Sequence, residues 1–327
     1  MAAYVLRRLG QAALVLLVMS LLVFAGVYAI GNPLAILIPP DATQADIARL
    51  SADLGLDRPL WQQYLVFLEQ ALAGNLGESF AFRVPAITLI IERLPATLEL
   101  AVAATLIAVV LGIPLGLWAG LKADTIAGKT ILAASILGFS LPTFWVGLML
   151  IMSFSVYLGW LPAGGRGPTQ ELLGVPVSFL SLDGLKHLVL PATNLALFKL
   201  ALVVRLTRDG AREAITMDYV RFARAKGVPE SRVIGVHVLR NILIPIVTIV
   251  GLEFGSVIAF AVVTETIFAW PGMGKLLIDS INVLDRPVIV AYLCVTVLVF
   301  VFINLAVDLA YAALDPRISL DTRAAQP

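Results

Sequence analysis

The chain has 327 residues, 60% of them hydrophobic and 14% charged, with a formal net charge of +1. Soluble domains carry about 25% charged residues, so the solvent for most of this chain is lipid and a soluble-domain architecture is excluded. The single cysteine, Cys294, excludes a disulfide framework and a cysteine-based metal site, and the two histidines, His187 and His237, have no second ligand at metal spacing.

Residues 9–30 are apolar and uncharged. At 1.5 Å per residue they extend roughly 33 Å, enough to cross the hydrocarbon core and longer than the apolar part of a cleaved signal peptide. Further spans are expected at 96–118, 131–157, 188–206, 241–264 and 288–313, each bounded by proline, glycine or charge clusters. The fold class is therefore an all-α integral membrane protein with six transmembrane helices. With the amino terminus in the cytoplasm, the inner side receives 14 Lys and Arg and the outer side 8, which places both termini in the cytoplasm.

The chain divides into residues 1–30, with the first span; an external segment, 31–95; and a five-helix core, 96–327. The external segment contains IARLSADLGLDRPLWQQYLVFLEQAL, in which Leu60, Tyr64, Phe67 and Leu68 share one helical side. It is expected to form two or three short helices, a small cap. That cap either shields the span ends or offers a docking surface, with Asp53, Asp57 and Glu69 as its acidic candidates.

Pro114 and Pro142 lie inside expected spans and free the carbonyls of Val110 and Gly138, so both helices are expected to kink. Gly138, Ser140 and Pro142, in GFSLPTFWVG, are candidates to line a pathway, although close packing of small residues explains them equally well. WLPAGGRGPTQELLGVPVSF reads as an external loop. TETIFAWPGMGKLLIDSINVLDRPV reads as an interfacial segment with Trp270 at headgroup level.

Between the fourth and fifth spans, residues 207–240 form a basic cytoplasmic loop containing EAITMDYVRFARAKGVPESRVIGVHVLRNILIP. Asp218 is expected to cap a short helix with Tyr219, Phe222 and Ala223 on its apolar side and Arg221, Arg224 and Lys226 on the other. Gly227 should end that helix in the left-handed conformation. Val228 follows, and Pro229 fits the first turn of a second helix running to about Leu239.

YVRFARAKG followed by LRNILIP resembles the cytoplasmic coupling loop of permease subunits from ATP-binding-cassette importers of the dipeptide, oligopeptide and nickel type. The Gly227-to-Pro245 spacing matches the peptide branch. LRRLG, LGLDRPLWQQY, GNLGESF, WLPAGG and DPRI are similar to strings of the same family, so the resemblance covers nearly the whole chain. It implies a type I importer permease fold in the bacterial inner membrane. It also implies a translocation subunit for di- and oligopeptides, with nickel, glutathione, opine and oligosaccharide as alternative cargoes.

The implied partners are a second homologous permease, two ATP-binding-cassette ATPase subunits or domains, an external substrate-binding protein and membrane lipid. ATP and Mg would sit on the ATPases, and this chain would bind no cofactor. The resemblance also favours docking of the binding protein as the role of the cap. Tyr219, Arg221, Phe222, Ala223, Arg224, Lys226, Gly227 and Val228 become the expected ATPase-coupling residues.

Three other readings are rejected and one alternative class is kept. ADTIAGKT, residues 123–130, fits a relaxed phosphate-loop pattern, but it is a short turn between two spans and has no strand before it. The basic loop is no nucleic-acid reader, because both its ends run directly into spans and no linker frees it to enter a groove. No nucleophile, paired-carboxylate or metal constellation indicates an enzyme. A secondary transporter or a non-transporting membrane scaffold remains as the alternative class.

Lys199 and Glu253 fall near the middles of the fourth and fifth spans. One such charge at a helix centre costs roughly 2.5–3.5 kcal/mol on insertion scales. They are pathway candidates with three readings: they pair, Lys199 snorkels toward Arg205, or they contact a charged cargo.

Overall fold

The computed structural model describes residues 2–29, 43–53 and 57–314. Among these, helices dominate and one two-stranded hairpin interrupts them. Contacts divide the chain into two units, residues 1–94 with 273–327, and residues 95–272.

In the first unit, α1 (Ala2–Ala29) packs against α11 (Arg286–Leu314). The expected cap helices appear as α2 (Gln44–Asp53) and α3 (Leu60–Leu72). Thr43 and Asp46 start α2 with a reciprocal cap: Thr43 N–H donates to Asp46 Oδ2 at 3.0 Å, and Asp46 N–H donates to Thr43 Oγ1 at 3.3 Å. The Thr43 hydroxyl, then its backbone N–H, hold the Asp46 carboxyl below the usual carboxylate range. From α3, Tyr64 and Phe67 meet Phe24 of α1 at ring distances of 5.4 and 6.0 Å, and Tyr64 OH lies 2.9 Å from Ser20 Oγ. The cap helix thus lies against α1, and Leu60, expected on the same packed side, is exposed.

A buried carboxylate ties the stretch after α3 to the head of α11. Asp285 accepts from Ser79 Oγ and from the N–H groups of Phe80 and Ala81, each of the latter at 3.2 Å. Leu284, at φ +54°, turns the chain from α10 (Met273–Asn282) to present it. Asp285→Ala is expected to destabilise this unit by about 3 kcal/mol, because several donors lose one acceptor together. Faster amide exchange at Phe80 and Ala81 would report it; unchanged protection would contradict the anchor.

The second unit holds most of α4 (Ala86–Leu121), a helix that is not interrupted at Pro95 or Pro114 and that begins at Ala86, ahead of the expected 96. α5 (Ile126–Ser140) and α6 (Thr143–Tyr157) meet at 105°, a far sharper bend than the kink expected within the span 131–157. The cause is local. Pro142 disfavours helical backbone at Leu141, which is extended at φ −79° and ψ 139°, so the chain turns before α6 starts.

The expected external loop contains a hairpin, β1 (Gln170–Leu172) and β2 (Val175–Val177), closed by Leu173 and Gly174 at φ +53° and +79°. α7 (Leu182–Ala214) then approaches α4 closely. A Cβ at Gly112 would lie 2.7 Å from Val203, at Gly116 2.6 Å from Thr207, and at Gly120 2.8 Å from the Arg208 carbonyl. Small residues at every fourth position therefore set the distance between the two helices.

α8 (Asp218–Ala225) is short, and α9 (Glu230–Ile267) is a continuous 38-residue helix with a π-helical stretch at Val233–Val238. Among the described residues, α4, α7, α9 and the Arg286–Val307 part of α11 are long and apolar enough to cross a membrane. The α5–α6 pair makes a fifth if it is one broken span, and α1 carries the shorter apolar stretch Ala13–Gly26.

Candidate functional site

The α8–α9 turn is built from its backbone outward. Gly227 has φ +74°, the left-handed conformation its position after the helix requires. Its N–H donates to the Arg224 carbonyl at 2.9 Å and the Val228 N–H to the Ala223 carbonyl at 3.2 Å, the paired bonds that close a helix carboxyl end. Val220, Ala223 and Val228 then seat the turn on a cluster that includes Val203, Ala211, Val233, Val238 and Ile242. The helix is fixed from one side only.

Three details differ from expectation. Asp218 is the first residue of α8 and the capping position belongs to Met217, whose side chain makes no capping bond; Asp218 instead lies 3.7 Å from Arg221 on a fully exposed side. Pro229 occupies the residue before α9, and that helix continues through the π-helical stretch into the apolar span without ending near Leu239. The buried face is Val220 with Ala223, whereas Tyr219 and Phe222 are 40% and 62% exposed. Helical geometry separates 219 and 222 from 220 and 223 by only 100° per residue, so the apolar side predicted from sequence spans two faces.

The basic side chains are also partly engaged. Arg224 forms a fork with Glu230 across the turn, Nε to Oε2 at 3.1 Å and Nη2 to Oε1 at 2.6 Å. Lys226 lies 4.5 Å over the Phe222 ring. Arg221 projects outward. What the turn offers outward is thus an aromatic pair flanked by cations.

A second constellation joins α7 to α9. The Lys199 ammonium donates to Glu253 Oε2 and, at 2.6 Å, to Ser256 Oγ; Ser256 Oγ also donates to Glu253 Oε2 at 2.9 Å. Lys199 is buried and turned across to α9, so it does not run along α7 toward Arg205. Glu253 keeps 43% of its side chain exposed. Beside the pair runs an aromatic row: Phe139 stacks on Phe198 at 4.7 Å, and Phe198 meets Phe260 at 5.7 Å.

Phe139 lies between Gly138 and Ser140, so the α5 end reaches this region, although Ser140 is exposed and its hydroxyl returns to the Ile136 carbonyl at 2.9 Å. Nothing lies within 4 Å of a Cβ built at Gly138, so close helix packing does not explain that glycine. Pro142 is exposed at the 105° break. Of the docking candidates, Asp57 and Glu69 are exposed, and the Asp53 side chain lies outside the described residues.

Besides Asp285, sequence reasoning missed two buried acids in the second unit. Glu99, inside a stretch taken as essentially uncharged, accepts from Arg166 Nε and Nη2 at 2.9 and 2.6 Å, from Ser178 N and Oγ at 2.7 Å each, and from Phe179 N at 3.1 Å. It fastens both ends of the hairpin loop to α4. Glu265 accepts from Thr97 Oγ1 at 2.7 Å and packs so tightly on Gly272 that a Cβ there would clash with its carboxylate.

Trp270, expected at headgroup level, is fully buried, with its indole N–H donating to the Ala96 carbonyl at 2.9 Å. Its polar tip is satisfied by protein, which removes the reason for a tryptophan to seek the interface. The 123–130 turn holds no phosphate cradle. Gly128 N–H is taken by Thr125 Oγ1 at 3.2 Å, and the turn simply starts α5.

With these sites in view, comparison with known proteins gives consistent results. Residues 112–320 match the family described as binding-protein-dependent transport system inner membrane component, and residues 1–101 match its N-terminal counterpart. The chain is 38% identical to the dipeptide transport system permease protein DppB of Escherichia coli strain K12, over 97% of this chain and 99% of that one. It is 39% identical to the di/tripeptide transport system permease protein DppB of Pseudomonas aeruginosa, over the same shares. Among solved structures, an inward-facing MetNI methionine ABC transporter matches with a TM-score of 0.53 at 15% identity, covering 69% of this chain and 96% of that chain. That likeness concerns the fold.

Proposed function

Because the chain belongs to the family of binding-protein-dependent transport system inner membrane components, we propose that it is the translocation subunit of an ATP-driven importer of di- and oligopeptides. The observation carrying this reading is nearly full-length similarity to peptide permeases of two bacteria. The chain is a transport subunit. ATP and Mg are used by two partner ATPases, a second homologous permease completes the pathway, and an external binding protein delivers the cargo.

In this reading six spans cross the inner membrane with both termini in the cytoplasm, the α5–α6 pair counting as one broken span and α1 as the first. The α8 turn docks on an ATPase. Closure of the ATPases on ATP moves the turn, and the spans rock to open the cavity outward; hydrolysis resets them. Tyr219 and Phe222 support this, since two large aromatic side chains held outward on an otherwise well-anchored helix suit insertion into a partner's cleft. Arg221 lies beside them, while Arg224 and Lys226 chiefly hold the turn in shape. Gly138, Ser140, Pro142, Lys199 and Glu253 line the pathway.

The deciding experiment is reconstitution with the partner subunits in vesicles. Uptake of a labelled dipeptide should require ATP and loaded binding protein and should withstand a protonophore. Uptake that collapses with the protonophore while ATP persists would overturn the reading in favour of a secondary transporter.

Two further outcomes are expected. Tyr219→Ala with Phe222→Ala should lower ATP-driven uptake by about tenfold or more, a loss of at least ~1.4 kcal/mol at the contact, with little change in thermal unfolding because both side chains are exposed in this chain. Wild-type uptake would remove them from the contact. Neutralising Asp53, Asp57 and Glu69 together should weaken stimulation of ATPase activity by loaded binding protein without affecting assembly. Unchanged stimulation would remove this surface as the docking site.

A further inference from the structure

We infer that Glu253, held by Lys199 and Ser256, is a binding point for the free ammonium group of the cargo midway through the membrane. This rests on the transport reading above and deepens it by naming the chemical group recognised.

A charge at the middle of an apolar helix is tolerated where it faces protein or water. Lys199 meets that condition wholly, being buried and bonded to Glu253 and Ser256. Glu253 meets it only in part. Both Lys199 and Ser256 converge on Oε2, no hydrogen bond within the described chain reaches Oε1, and nearly half of the side chain is exposed. A structural ion pair would use both oxygens or bury both partners. This one leaves a carboxylate oxygen facing outward.

Its surroundings specify what can occupy that oxygen. The recess at the pair is lined by Thr105, Leu202, Val203, Val250 and Val257, and its cavity volume of about 10 Å³ is room for one water-sized group. That is far below the roughly 300–1,000 Å³ of a pocket that encloses a whole ligand, so only a group as small as an ammonium fits, with the rest of the molecule outside. The Phe139–Phe198–Phe260 row lies alongside, with Phe139 and Phe260 exposed. Glu253, Ser256 and Phe260 follow one another at helical spacings of three and four, so on α9 they share a strip.

A carboxylate oxygen next to an exposed aromatic strip suits an ammonium attached to an apolar body, which is the amino-terminal end of a peptide. Lys199 keeps the site ready. Its ammonium supplies the counter-charge to the carboxylate when no cargo is present.

The test uses the complete transporter in vesicles, with the binding protein supplied saturated with cargo so that differences in its own affinity drop out. A dipeptide is compared with its des-amino analogue, in which hydrogen replaces the amino group. The wild-type complex should move the dipeptide faster by about tenfold or more, since a site built to bond a polar group rejects the analogue lacking it. Glu253→Gln should reduce that ratio to within about threefold, chiefly through the dipeptide's maximal rate.

As Glu253→Gln leaves Lys199 buried without its partner, the neutral double variant Lys199→Gln/Glu253→Gln provides a form with no stranded charge, and it too should lose the preference. Equal rates for the two cargoes in wild type, or a preference retained in the double variant, would overturn the site while leaving the transport function in place. Loss of the second permease from the purified double variant would also overturn it, by showing that Glu253 faces a subunit. Absence of ATP-driven uptake of either compound by the wild-type complex would overturn the function itself, and this site with it.

Discussion

Replacing Gly227 by valine is expected to abolish ATP-driven uptake while leaving the chain inserted in the membrane. At φ +74° an L-residue is strained by about 1–2 kcal/mol, and a β-branched side chain is among the least tolerant there. No atom lies within 4 Å of a Cβ built at this position, so the effect comes from the backbone and not from crowding. The bonds from Gly227 to Arg224 and from Val228 to Ala223 would be lost first, and α8 would no longer be held at a fixed angle to α9. Asparagine offers the control. It adopts the left-handed conformation more readily despite its size, so Gly227→Asn should keep most of the uptake and Gly227→Ala should fall between. Wild-type uptake by Gly227→Val would sink the coupling role of this turn.

The second large effect is expected at Glu99. Removing one partner of a buried ion pair typically destabilises by about 3–5 kcal/mol, and Glu99→Ala would strand Arg166 together with the Ser178 and Phe179 N–H groups. Thermal unfolding in detergent should shift downward, and amide exchange across 166–181 should rise before the helices open. Glu99→Leu combined with Arg166→Leu should recover part of the loss, because an apolar pair leaves no stranded charge. If Glu99→Ala unfolds at the wild-type temperature, the acid does not fasten the hairpin loop.

What could be read from sequence was local. The apolar stretches marked the long helices, since lipid demands them residue by residue. The Gly227-Val228-Pro229 string marked the turn, since few residues accept that backbone. The misses were non-local. Glu99 meets Ser178 across 79 positions, Thr97 meets Glu265 across 168, and Ser79 meets Asp285 across 206, and no periodicity links such partners. A buried acid in an apolar stretch was the available signal for Glu99, and its expected penalty alone could have flagged it. Gly112, Gly116 and Gly120 were visible at regular spacing, yet only the structure shows α7 pressed against them. Pro142 was expected to kink a helix by freeing the Gly138 carbonyl, whereas the turn is set by the extended backbone that the proline favours at Leu141.

The absence of a break between the start of α9 at Glu230 and its end at Ile267 has a mechanical consequence. At 1.5 Å per residue this 38-residue helix is about 57 Å long, more than the thickness of the hydrocarbon core. A rigid rod of that length converts a tilt of only ~5° about one end into a displacement of about 5 Å at the other. Glu253 sits 23 positions from Glu230, about 35 Å along the axis, so a displacement of the α8–α9 turn would reach the ion pair as a lever stroke. Two places along the arm can absorb part of such a stroke: the π-helical stretch Val233–Val238, where the helical pitch changes, and Pro245, which lacks an N–H to bond the preceding turn.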